Sequence, residues 1–125
     1  MNKLLIMKKL IIYTLLLFVS FSYGQKKELR NANKFYTSGE YSSALDLLDS
    51  SKSLFDSSDD KIKSQVMLLY GKIHTSMEDF SLAIKAFDMS RNMGISNQIL
   101  SPELSKLETA IITSAVGDNE TENFS

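Results

Sequence analysis

The chain has 125 residues, 43% hydrophobic and 23% charged, with no cysteine, one histidine and a formal net charge of −1. That length suits one small domain with a thin core. A chain without a basic net charge argues against nucleic acid, which requires a clustered basic face, and without cysteine neither disulfides nor thiolate metal sites are available.

The first segment reads as a leader outside the fold. Lys3, Lys8 and Lys9 make a positive start, and Leu10 to Phe21 is nearly uninterrupted in its apolar character. Ser22-Tyr23-Gly24 then places small residues where a signal peptidase reads, so a signal peptide over 1–24, cleaved after Gly24, is expected. The apolar run is 12 residues long, short of the roughly 20 that a spanning helix needs. Contact with a membrane is therefore expected only through the transient leader. No cysteine follows it, so no lipid anchor on cysteine is expected, and the product would be periplasmic or secreted. Met7-Lys8-Lys9 would serve equally well as a start. Loss of the three leader lysines takes the net charge from −1 to −4.

Residues 26–38 follow as a first helix, with Leu29, Ala32, Phe35 and Tyr36 at helical spacing. Gly39 stops it, because glycine accepts the left-handed conformation after a last turn. Glu40 opens a second helix over 41–55, whose apolar face is Tyr41, Ala44, Leu45, Leu47, Leu48 and Leu54. So short a turn forces the two helices antiparallel. Asp56-Ser57-Ser58-Asp59-Asp60 is a polar break, in which Ser57 or Ser58 is expected to cap a third helix over 59–77.

Val66, Met67, Tyr70, Gly71, Ile73 and His74 cover a wide face of that helix. Gly71 costs roughly 1 kcal/mol against alanine inside a helix, so it marks a close crossing, expected to face Ala83. Glu78-Asp79 restarts the chain as a fourth helix over 80–93, with Gly94 as its stop. Ile95 to Leu100 reads as a connector. Ser101-Pro102-Glu103 then reads as cap, first-position proline and first-turn acid of a fifth helix over 102–116, ended by Gly117-Asp118. Residues 118–125 are too short and polar for another helix, so a disordered or truncated tail is expected.

One stretch recurs through this succession. Gly39-Glu40-Tyr41-Ser42-Ser43-Ala44-Leu45 reappears in degraded form as Glu78-Asp79-Phe80-Ser81-Leu82-Ala83-Ile84, 39 positions later. Ala32, Gly71 and Ala110 keep the same offset, as do Leu29, Leu68 and Leu107. A fixed period near 40 is the mark of stacked helical hairpins.

These residues resemble the tetratricopeptide repeat. The family places a small residue and an aromatic on the first helix, and an alanine and a large apolar residue on the second. Ala32, Phe35, Ala44 and Leu48 fill those places in the first repeat, and Gly71, His74, Ala83 and Phe87 in the second. A third repeat supplies only its first helix, with Ala110 and Thr113. The period exceeds the family's, which is about 34, and His74 and Thr113 stand where an aromatic belongs. The resemblance implies an all-α solenoid of about two and a half hairpin repeats, spanning residues 25–117. It also implies a concave face lined by the first helix of each pair.

In this register the groove-facing residues are Leu29, Asn33, Tyr36, Leu68, Lys72, Thr75, Leu107 and Ile111. An apolar floor with a few polar groups suits an extended peptide or a helix, so a protein or peptide partner is expected. The alternative role for the three leucines is packing between repeats. Ile112 and Val116 would face a missing sixth helix, and self-association through this end is expected to cover them.

No motif for chemistry accompanies the pattern. There is no glycine-rich phosphate loop, nucleophile elbow or metal-binding pair on a helix. His74 has no second histidine or cysteine to share a metal with and reads as a core residue. Asp49, Asp56, Asp59 and Asp60 lack the alternation and central glycine of a calcium loop. Met67, Met77, Met89 and Met93 read as ordinary core, and Asp79 with Asp88 as an unsupported carboxylate pair. The expected function is an exported, non-enzymatic interaction module or scaffold of a bacterial cell envelope, without cofactor. The alternative is the N-terminal sensor portion of a longer regulatory protein.

Overall fold

A computed structural model describes the backbone of residues 2–123, and their side chains outside 18–22 and 118–123. Every regular element among the described residues is a helix: α1 (Asn2–Thr37), α2 (Tyr41–Ser50), α3 (Lys52–Asp56), α4 (Asp60–Ser76), α5 (Phe80–Asn92) and α6 (Asn97–Asn123).

The chain turns back on itself through one repeated device. At residues 38–40 the backbone N–H of Glu40 donates to the carbonyl of Phe35 at 2.8 Å, and that of Gly39 to Tyr36 at 3.0 Å. At 77–79 the same pair recurs, Asp79 to His74 at 2.9 Å and Glu78 to Thr75 at 3.2 Å. After α5 it recurs once more, Ile95 to Ser90 at 3.1 Å and Gly94 to Arg91 at 3.0 Å. Each is a helix end whose left-handed residue lets two later N–H groups satisfy orphan carbonyls. Gly39 and Gly94 hold that conformation at φ 81° and 102°. Glu78 holds it at φ 62°, without a glycine's freedom. Glu78 therefore terminates α4 and does not open the next helix, whose N-terminal flank is Asp79.

Several boundaries differ from the sequence reading. The first helix begins at Asn2, not at 26, because Gly24 is the only weak helix former between leader and domain and one glycine does not break a helix. The expected 41–55 helix is interrupted at Ser51, where Ser50 turns its hydroxyl back onto the Leu47 carbonyl at 3.1 Å. The five-residue α3 results. Neither Ser57 nor Ser58 caps α4. The Asp59 carboxylate does so, accepting from the Ile62 N–H at 2.9 Å, while the Ser58 hydroxyl donates to the Phe55 carbonyl.

The last helix starts at Asn97, so the connector is shorter than expected and Pro102 lies inside the helix. Proline there forfeits one bond to the Gln98 carbonyl. The early start brings Leu100, 1% exposed, into the core. Gly117-Asp118 does not end α6, whose backbone stays helical through Asn123. Residues 124–125 lie outside the described residues.

Each hairpin packs tightly within itself, α1 on α2 and α4 on α5. One core lies among α1 to α4 and centres on Leu29, Ala32, Ala44, Leu48, Leu69 and Ile73. A second lies among α4, α5 and α6, where Ala83, Phe87, Leu100 and Leu107 are buried with Leu68 and Phe80 against them. Burying one such side chain contributes about 1.5–3 kcal/mol. The Ser90 hydroxyl, fully buried, donates to the Ser64 carbonyl at 2.7 Å and ties α5 to α4. Gly71 does mark a close crossing of α4 and α5, where the Phe87 ring lies nearest to it and Ala83 is fully buried. A Cβ built there would meet the Phe87 ring at 2.5 Å from Cδ1 and 2.8 Å from Cζ, and closer still to Cε1.

Candidate functional site

The residues expected to line a groove come from α1, α4 and α6. These three helices are successive neighbours, α1 against α4 and α4 against α6. The structure brings the candidates together in pairs.

Leu29 and Asn33 line an open groove of about 1040 Å³ between α1 and the start of α4, whose wall also includes Thr14 and Leu17 from the expected leader. Leu29 also belongs to the first core, so it serves packing and groove wall at once. The Asn33 side chain is exposed, and its amide donates to the Leu29 carbonyl at 3.1 Å. Cationic side chains surround this groove: Lys26 and Arg30 from α1 and Lys61 from α4. The one carboxylate on its wall, Asp59, caps α4. Gln25 anchors this part of α1 by donating from Nε2 to the Leu54 carbonyl at 3.1 Å.

Tyr36 and Lys72 meet directly. The Lys72 ammonium lies over the Tyr36 ring, 4.9 Å from its centroid, a cation–π contact between α1 and α4. Tyr36 is tilted against Tyr41 at 5.6 Å between centroids. Such a contact is worth about 0.5–1 kcal/mol at an exposed site. It also leaves the ring half-exposed beside the groove face.

Thr75 lies in a shallower depression of about 490 Å³ between α4 and α6, with Thr109, Ala110 and Thr113. Its hydroxyl donates to the Gly71 carbonyl at 2.7 Å, so it offers an acceptor more readily than a donor. Leu68 and Leu107 go elsewhere. Leu107 is buried in the second core and Leu68 packs against it, a packing role between α4 and α6. Ile111 is at the margin of exposure, while Ile112 and Val116 are 54% and 49% exposed on α6.

The residues weighed for chemistry are occupied elsewhere. Asp49 accepts from the Tyr70 hydroxyl at 2.7 Å, and Asp56 pairs with Lys52 at 2.9 Å. Asp59 is engaged as the α4 cap. Burial, with Asp49 accepting its proton's hydrogen bond, pushes the Tyr70 phenol well above its ordinary range. Asp88 is beside Arg91 at 3.4 Å, whereas Asp79 faces His74. His74 is buried and its ring stacks on Tyr70 at 6.2 Å. Its Nδ1 has no hydrogen-bond partner; the Asp79 carboxylate is 3.7 Å away, too far for one. Sequence periodicity had assigned the methionines to the core, yet none of the four is fully buried.

No protein-family model matches the chain, and no curated protein or solved structure matches it either.

Proposed function

We propose that the chain is an exported, non-enzymatic tetratricopeptide-like module of about two and a half hairpin repeats, which holds a peptide or helical segment of a partner protein. The observation that carries this reading is the adjacency of α1, α4 and α6, with grooves between successive members. Their hairpin partners α2 and α5 leave that face open. Half-exposed Tyr36, exposed Asn33 and the Thr75 hydroxyl offer an aromatic surface and polar contacts, the chemistry that suits an extended segment.

Export fits the first helical segment. Leu10 to Leu17 include seven large hydrophobic side chains, each 56–70% exposed, that the domain does not bury. Among the described residues no helix is long and apolar enough to cross a membrane. A leader removed after Gly24 accounts for both, and protein recovered from its native host would begin at Gln25.

Selection of displayed peptides on the immobilised chain tests the groove. Selected peptides should lose roughly tenfold or more in affinity with Asn33→Glu and Lys72→Glu, while both variants keep the wild-type helical spectrum. Peptides that bind these variants unchanged but lose affinity with Ile84→Lys, on α5, would place recognition on the other face and overturn the reading.

A further inference from the structure

A second cleft, of about 380 Å³, lies where α2 and α3 diverge from α5 over the surface of α4. Its origin is structural. The break at Ser51 redirects the chain into α3, and neither α2 nor α3 approaches α5 with any Cα pair within 8 Å. What remains between them is floored by an α4 stripe, Lys63, Val66, Met67, Tyr70 and His74, at spacings of three and four. A matching α5 stripe, Lys85, Ala86, Met89 and Met93, forms one wall. Leu48 and Phe55 form the other.

Three properties of this cleft select a ligand class. Its volume is at the small end of ligand-sized pockets. Its surface is apolar and includes three methionines, whose unbranched side chains conform to a flexible alkyl body. Its charges do not balance: three lysines, Lys52, Lys63 and Lys85, stand against two aspartates, Asp49 and Asp56. Lys52 is paired with Asp56, and Asp49 accepts from Tyr70. Lys63 and Lys85, facing the cleft from α4 and α5, form no ion pair among the described residues.

We propose that this cleft binds a medium-chain apolar monocarboxylate, its alkyl body against Val66, Met67, Met89 and Met93 and its carboxylate between Lys63 and Lys85. The site is separate from the peptide groove, which uses other residues of α4. Lys85 is exposed and Lys63 half-buried, so water screens the ammonium–carboxylate contacts, and the lysines select for charge while the apolar floor supplies most of the affinity.

The test uses the full chain carrying 13C-methyl methionine, titrated with decanoate below its micelle concentration at neutral pH, beside calorimetry with decanoate and decanol. Decanoate should bind saturably, shift the methyl signals of Met67, Met89 and Met93, and bind more tightly than decanol. Lys63→Gln with Lys85→Gln should weaken decanoate roughly five- to tenfold and leave decanol unchanged. Ala86→Phe, which fills the cleft, should abolish both, and the paired glutamine variant reports independently if that chain misfolds. Shifts confined to Met7, in the exposed apolar segment of α1, would overturn the proposal. So would decanoate affinity that is indifferent to both lysines, or decanol binding equal to decanoate.

Discussion

Gly71→Ala should destabilise the protein, although helix propensity alone favours it. Replacing glycine by alanine inside a helix gains roughly 1 kcal/mol. Here the new methyl would be placed 2.5–2.8 Å from Cδ1 and Cζ of Phe87, well inside van der Waals contact. The ring has little room to retreat. Phe87 is 2% exposed and clusters with Ala83, Leu100 and Leu107. Overpacking of this kind typically costs 1–3 kcal/mol, and sometimes more. The contact is between a rigid ring and a helix backbone, so the upper part of that range applies. After the propensity gain, a net loss of about 1–2 kcal/mol is expected.

Urea unfolding followed by circular dichroism at 222 nm would show it as a lower midpoint with an unchanged slope. Gly117→Ala is the internal control. Gly117 is also helical, but a Cβ there meets nothing within 4 Å, so the same substitution should raise stability by up to about 1 kcal/mol. Combining Gly71→Ala with Phe87→Leu should cost less than the sum of the single changes, with a coupling of roughly 0.5–3 kcal/mol. A Gly71→Ala protein whose midpoint rises like that of Gly117→Ala would refute the packing of α4 on α5 described above.

Three further expectations follow from particular residues. Glu78→Gly should stabilise by about 0.5–1 kcal/mol, because it relieves a left-handed non-glycine residue while paying back part of the gain in unfolded-chain entropy; calorimetric melting would show the rise, and a lower melting temperature would contradict it. Because the Tyr70 phenol holds its proton more tightly when folded, its contribution is present below pH ~10, the ordinary tyrosine value, and declines as pH rises above it. Tyr70→Phe should therefore flatten the loss of urea resistance between neutral and strongly alkaline pH, and an unchanged profile would separate Tyr70 from that loss. Ile112→Lys should reduce self-association in sedimentation measurements without unfolding the hairpins, whereas a wild-type chain that is already monomeric would show that the exposed Ile112 and Val116 need no cover.

Helical character and the helix ends at Gly39 and Gly94 were legible in the sequence because local chemistry dictates them. Leu29, Ala32, Phe35 and Tyr36 specify a helical stripe whatever surrounds them, and Gly39 and Gly94 supply the backbone freedom that a helix end requires. Of the residues that the 39-residue register placed on one face, Tyr36 and Lys72 meet. What the sequence could not decide was anything set by competition between distant groups. Glu78 shows no sign of a left-handed conformation; it is forced there because α5 must fold back onto α4. Gly71 advertised a close approach, but which side chain fills the gap depends on how α5 is rotated, and Phe87 reaches it. The methionines carry a helical period that fits a core equally well. Only the separation of α3 from α5 turns Met67, Met89 and Met93 into the lining of a cleft, because periodicity specifies that a face is apolar and tertiary packing decides whether anything covers it.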